Sequence, residues 1–253
     1  MVNELNNFFD KIFLITIKRN KNRVDQFLRN NPTLAIEVFC GIDGKELFPD
    51  LDYVSQFPME FFLQNELSYD RCRIWNKGQL GCNMSNLLLQ KSIIENKLKK
   101  VLILEDDAYL IEDKLKMFAL AIKELPKDWD LLYLGYTPPS KWSESPLSLF
   151  FLRIKHLIKP TLTSGMRSNQ FLDKRYFSFP FSKHLKRPGV YFGTHAYALS
   201  YEGAKKIVTI DTPLKLGADI TLMFANYHKL INSFALKDPL FIPNKKFDTS
   251  LIN

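Results

Sequence analysis

Cysteine is scarce in this 253-residue chain. Cys40, Cys72 and Cys82 are odd in number and lack close ligand spacing, which argues against a disulfide framework or a zinc site. They read as reduced thiols or small buried hydrophobes. Also missing is any run near the ~18 consecutive apolar residues that a membrane span needs. The first ten residues hold Glu4 and Asp10 but no Lys or Arg, so the basic start of a signal peptide is absent and a cytoplasmic location is expected. There is no internal repeat, and no recognised nucleic-acid-binding motif accompanies the basic residues, so nucleic acid is not an expected partner. What remains is ordinary globular composition, 46% hydrophobic and 25% charged. A chain of this length buries roughly 70–75% of its unfolded surface without needing disulfides.

The net charge of +8 is unevenly spread. Between Thr137 and Gly189 ten basic side chains face only Glu144 and Asp173, so this segment carries the whole excess. It is also rich in proline, which argues for irregular backbone, and 137–189 is expected to be a basic insertion. Its middle, 147–159, mixes bulky apolar residues with Arg153, Lys155, His156 and Lys159. That makeup suits a short helix lying on an anionic membrane, and it suits a solvated loop covering the core equally well.

Elsewhere strands and helices alternate. Lys11–Ile17, Ile36–Cys40, Val101–Leu104, Asp130–Leu134 and Val190–Leu199 read as strands. Helices are expected over Asn20–Arg29, Gly81–Lys97, Glu112–Glu124 and, capped by Ser200, to about Ile207. This order implies an α/β sheet with ligands beyond the carboxyl ends of its strands. Gly41-Ile-Asp-Gly44 and Glu105-Asp-Asp107 both follow strands and both open onto that edge.

Three acids directly after four apolar residues are costly unless water or a cation reaches them. In extended backbone Glu105 and Asp107 project to one side and Asp106 to the other. Two converging carboxylates suit a hard divalent ion. A solvated turn leading into a helix has the same acids. A phosphorelay receiver also ends a strand this way, but Tyr133 stands where its phosphoacceptor should be.

Five blocks together carry a resemblance: Phe13–Arg23, Gly41–Gly44, Gly78–Ser85, Leu102–Asp107 and Gly193–Ala204. In order and spacing the chain resembles glycosyltransferase family 25, the bacterial lipooligosaccharide-synthesis transferases and their collagen-modifying relatives. The resemblance implies one GT-A-like domain over 1–253, an α/β fold with a mixed central sheet flanked by helices. It further implies a UDP-sugar donor, most simply UDP-galactose, and transfer with inversion to a glycolipid or oligosaccharide acceptor. Collagen-like hydroxylysine is the alternative acceptor; a non-catalytic glycan- or membrane-binding relative is the alternative class. The acidic stretch then serves a metal, Mn²⁺ ahead of Mg²⁺, through Glu105 and Asp107. Donor contacts are expected from Thr16, Arg19, Arg23, Asp43, Gly44, Ser85 and Glu105. Asp219 is the expected base, and His195 and His228 are reserve metal ligands. The family commonly has Asn-Leu at Thr16-Ile17 and Ser-His at Ser85-Asn86, so two donor-side positions depart from its pattern. Peripheral attachment at the inner face of the cell membrane would run through 147–159.

Overall fold

A computed structural model describes residues 3–140, 144 and 177–244. The basic stretch 147–159 lies outside the described residues. In chain order the helices are α1 Asn3–Phe8, α2 Lys21–Asn30, α3 Gly44–Leu47, α4 Met59–Gln64, α5 Tyr69–Cys72, α6 Lys77–Glu95, α7 Leu115–Glu124, α8 Tyr201–Ile210 and α9 Ala218–Tyr227. The strands are β1 Lys11–Thr16, β2 Ile36–Cys40, β3 Lys100–Glu105, β4 Ala108–Leu110, β5 Leu131–Thr137, β6 Phe179–Pro180, β7 Leu185–Arg187, β8 Phe192–Ser200, β9 Ser233–Leu236 and β10 Phe241–Pro243.

Eight strands form one mixed sheet in the order β2-β1-β3-β8-β5-β9-β7-β6, and β4 pairs with β10 in a separate ribbon. Strands β1, β2 and β3 run parallel, with Leu14 opposite both Val38 and Leu104. β8 runs against both β3 and β5. The carboxyl ends of β1, β2, β3 and β5 therefore share an edge with the amino end of β8.

Both faces of the sheet are covered, which explains why β1 and β3 read as apolar runs without alternation. On one face Ile12, Leu14, Leu102, Leu104 and Leu132 pack under α1, α2 and α7 through Leu5, Phe27 and Phe118. On the other, Phe13, Ile15, Val101, Ile103 and Tyr197 pack under α6, α8 and α9 through Leu89, Ile93, Ile207 and Leu222. Helix α6 has a second apolar side. Leu80, Met84 and Leu87 join Val54, Phe57, Phe62, Leu67 and Leu214 in a third core. With apolar residues on two faces, α6 shows no single stripe for a periodicity argument to find. It also starts before the expected Gly81. Asn76 accepts the Gln79 N–H at 2.8 Å while Gln79 accepts the Asn76 N–H at 3.1 Å, a reciprocal cap that adds a turn. Ser200 caps α8 as expected, accepting from the Gly203 N–H at 3.0 Å.

The basic segment does not stay outside the sheet. Its described end supplies β6 and β7, and β7 pairs with β9 through Leu185 and Lys186. Lys186 is buried, pairs with Glu144 and lies 4.8 Å over the Tyr136 ring. Arg187 sits 3.9 Å over Phe234 and donates to Asn232 Oδ1 at 2.6 Å. Two of the ten bases thus serve the interior, and desolvation lowers the pKa of both.

The loop before β7 is tied to the end of α7 by one carboxylate. Glu124 accepts from Ser182 Oγ and, at 2.9 Å, from the His184 N–H, and its other oxygen lies 2.5 Å from His184 Nδ1. The Ser182 hydroxyl foremost, with the His184 amide and ring, holds the carboxyl at about 2 against an ordinary 4.5. A carboxylate depressed on folding adds stability that is complete above its unfolded pKa and is lost as the pH falls through the folded one. Glu124→Gln should therefore lose the part of the acid slope between pH 4.5 and 2 that this group causes. Urea midpoints measured across that window should fall less steeply in the variant than in the wild type. Equal slopes would mean the contact contributes nothing to acid sensitivity.

Candidate functional site

The acidic turn divides its three carboxylates between the two sides of the sheet edge. Strand β3 ends at Glu105, and Asp106-Asp107 turn the chain toward β4. Asp106 points toward α2 and is buried. Its Oδ2 accepts from Thr16 Oγ1 at 2.6 Å and from Asn20 Nδ2 at 2.8 Å, and its Oδ1 lies 3.2 Å from Arg23 Nη1. The three donors come in turn from the end of β1, the connection after it and the first turn of α2. Thr16 and Arg23, expected as donor contacts, are thus engaged with Asp106.

Glu105 goes the other way, toward α6 and α9. Desolvation, followed by the charges of Asp107, Asp219 and Asp106, pushes its pKa well above the usual carboxylate range. Cys82 on α6 shares this environment. Desolvation foremost, then Glu105 and Asp219, raise its thiol to about 12. Yet Cys82 is solvent-exposed and Glu105 only half-buried. Groups that keep contact with water while protein surrounds them closely sit on the floor of an open cleft.

Asp219 reaches this cleft from the first turn of α9. Its Oδ1 accepts the Ile220 N–H at 2.8 Å and its Oδ2 the Gly193 N–H at 3.3 Å. Gly193 has φ +54°, a left-handed conformation that glycine adopts without steric cost. Two groups fix the approach to the helix. Asn83 Oδ1 accepts the Ala218 N–H at 2.9 Å, and buried Asp211 accepts from Lys215 N–H, Leu216 N–H and Thr221 Oγ1.

The Gly41–Gly44 turn lies beside α6 and is built tightly. Asp43 accepts from the Lys45 N–H at 3.0 Å and pairs with Arg19 Nε at 3.2 Å. The Arg19 side chain remains 38% exposed, so the turn presents a cation to solvent. Ser85 is buried, donates to the Gly81 carbonyl at 2.6 Å and accepts the Ile42 N–H at 2.7 Å. A Cβ on Gly44 would stand 1.7 Å from the Lys77 carbonyl oxygen. The structure therefore places Ser85 and Gly44 in the joint between the turn and α6. His228 ends the far side of α9, about 13–14 Å along the helix from Asp219 at ~1.5 Å per residue. His195 is buried beside Gly135, and desolvation lowers its pKa to about 4, so it stays neutral. Neither histidine is brought into contact with Glu105 among the described residues.

Among the described residues no three His, Cys, Asp or Glu side chains are grouped tightly enough to hold a metal ion by themselves. The donor types nevertheless fit a hard cation. The charges of Asp107 and Asp219 act against that of Glu105, and a divalent ion would relieve that repulsion through oxygen ligands. A site of two carboxylates, Glu105 and Asp107, would be completed by oxygens of the ligand itself.

Asp106, Asn20 and Cys82 are the residues that sequence reasoning did not assign. The signal for the first two was present: Asn20 and Arg23, three apart, share a helical face that meets the residue alternation puts opposite Glu105.

These features define an α/β protein with an acidic cleft at the carboxyl edge of a mixed sheet, flanked by an exposed arginine. Residues 9–222 match the family described as "Glycosyltransferase family 25 (LPS biosynthesis protein)", and the chain belongs to glycosyltransferase family 25. It is 30% identical over 132 residues to procollagen galactosyltransferase 2 of both Mus musculus and Homo sapiens, covering 50% of this chain and 21% of each relative. A glycosyltransferase 25 family member of Drosophila melanogaster is 30% identical over 131 residues, covering the same shares. The chain thus spans about a fifth of the length of the curated relatives it matches. Among solved structures, mannose-1-phosphate geranyltransferase from Thermus thermophilus aligns over 89% of this chain and 72% of its own, at 8% identity and a TM-score of 0.39. Mouse xyloside xylosyltransferase 1 aligns over 87% and 63%, at 10% identity and a TM-score of 0.30. Likeness at these scores is too weak to argue from.

The joint between the turn and α6 has a measurable consequence. Gly44 and Gly81 face each other so closely that a Cβ on Gly81 would come within 2.5 Å of the Gly44 nitrogen. Gly44→Ala should force α3 away from α6 and cost about 3 kcal/mol, the upper end of what overpacking a core costs. A urea midpoint unchanged from wild type would show that the joint yields instead.

Proposed function

We propose that this chain is a metal-assisted inverting hexosyltransferase, a single GT-A-like catalytic domain that moves galactose from UDP-galactose to a lipooligosaccharide or related surface glycan. The observation carrying this reading is the placement of two acids at one sheet edge: Glu105 ends β3, and Asp219, in the first turn of α9, is held there by the Gly193 N–H of β8 at 3.3 Å. Galactose is supported by the names of the procollagen galactosyltransferases, and a surface glycan by the family description. The relatives' names also favour a collagen-type hydroxylysine acceptor as the second reading. We place the protein in the cytoplasm at the inner face of the membrane, with 147–159 as its contact.

The chemistry asks three things of the chain. Glu105 and Asp107 would hold a divalent cation, Mn²⁺ ahead of Mg²⁺. When bound, that cation supplies positive charge to the departing diphosphate. Arg19, exposed beside Asp43, adds charge for the phosphates. Asp219 accepts the proton of the acceptor hydroxyl as its oxygen bonds to the anomeric carbon. The bond from that carbon to the diphosphate breaks on the opposite face, and its electron pair leaves with UDP. Each Asp219 oxygen accepts one N–H bond, and a carboxylate has about four acceptor sites, so lone pairs remain for this proton.

A screen of nucleotide sugars against lipooligosaccharide fragments and a hydroxylysine peptide, read by mass spectrometry, tests the reading. Transfer to the peptide alone would establish the second acceptor, and no transfer with any donor would sink the enzyme reading. Asp219→Asn preserves shape but cannot take the proton, so turnover should fall ~10²–10⁴-fold with donor affinity little changed. Lost UDP binding with turnover at saturation intact would instead make Asp219 a donor contact. Chelation should abolish most transfer and Mn²⁺ restore it. Asp107→Ala should match the chelated wild type without unfolding, and full activity in either case would rule out the metal's role.

A further inference from the structure

We propose that Asp106 is a positioning residue that couples the phosphate-facing loop after β1 to the two carboxylates on either side of it in sequence; this rests on the transferase reading above. The connection between β1 and α2 spends three polar groups on this one carboxylate: Thr16 at the end of the strand, Asn20 in the following turn, and Arg23 in the first turn of α2. Arg19 lies within the same connection, paired with Asp43 at 3.2 Å, and its side chain remains 38% exposed. The Arg23 and Asp106 side chains are only 13% and 8% exposed, so the pair is nearly dry and removing either partner unbalances charge where water scarcely reaches.

Glu105, one residue before, borders the cleft, and the charge of Asp107, one residue after, acts on it. The loop that carries the exposed cation is thus bolted to the centre of the acidic turn. Moving either one moves the other, and the spacing between Arg19 and the Glu105 cleft is set by a group that touches neither ligand nor metal. Arg23, although basic and near the site, acts through Asp106. A residue holding ligand-bearing neighbours in this way typically changes affinity 10–100-fold when altered.

Titration calorimetry with UDP in the presence of Mn²⁺ tests this without relying on turnover, alongside thermal melts of each variant. Asp106→Asn keeps the shape but removes the charge, and UDP affinity should fall about 10-fold in a protein that still melts cooperatively. Arg23→Gln should fall by a similar factor. The double variant should bind no worse than the weaker single, because both remove one coupling. Thr16→Ser, which retains the hydroxyl, should bind as the wild type does. Losses that multiply to about 100-fold in the double variant would make Arg23 a direct phosphate contact and overturn the proposal. An Asp106→Asn protein with wild-type affinity would overturn it too. If Asp106→Asn does not fold, Thr16→Val removes a single donor, and a lower melting temperature with unchanged UDP affinity would reduce Asp106 to a purely structural group. Failure of the wild type itself to bind UDP would count against the transferase reading, a result separate from all of these.

Discussion

The hydrogen-bond ladder that seats β8 between β3 and β5 sets the geometry on which the site depends. Because β8 runs against both neighbours, its amino end arrives where β1, β2, β3 and β5 finish. Gly193 therefore stands at the edge that carries Glu105, and its N–H reaches Asp219 from α9. Had β8 run parallel, Gly193 and Asp219 would have been held at opposite ends of the sheet. The acidic cleft is thus assembled from strands distant in sequence by one reversal of direction.

Charge is sorted across that edge as deliberately as the chain direction. The middle acid of the turn is neutralised by a largely buried arginine side chain and two neutral donors, while Glu105 beside it feels the charges of Asp107 and Asp219. A folded protein tolerates such repulsion where water reaches it or a cation is to arrive. The basic excess is sorted as well. Lys186 and Arg187 are consumed by Glu144 and by aromatic rings, which leaves fewer bases of that segment for an anionic partner than the formal charge implies.

Much of the sheet was legible because its central strands are buried on both faces. Ile36–Cys40 is found with its expected bounds, β1 ends one residue early, and β3 extends one residue further at each end. The Ser200 cap was legible because capping is a local interaction. The third core was not, since α3, α4 and α5 are too short to show a period and pack only against one side of α6. Strands β6 and β7, two and three residues long, have no pattern apart from their partners. Site residues divide on the same line. Glu105 and Asp219 stand out by chemistry and position, and the fold sets them near enough for the charge of one to act on the other. Gly44 and Ser85 look like ligand contacts in a motif, but the fold packs Gly44 of the turn onto Lys77 and Gly81 of α6 and joins Ser85 of α6 to Ile42 of the turn, partners more than thirty residues away in sequence.

The two-sided burial of α6 also bears on how such a site can change over evolutionary time. One flank of the cleft is not a loop draped over a scaffold. It is the wall shared by two cores, with the Gly41–Gly44 turn pressed directly onto it. A single substitution there disturbs both cores at once, so variants on this side must appear in compensating sets or not at all. The connection after β1 is held instead by polar contacts, Thr16, Asn20 and Arg23 to Asp106 and Arg19 to Asp43, so a change there disturbs directional bonds and leaves both cores packed. Drift in ligand preference would then accumulate on one side of the cleft while the other stays fixed.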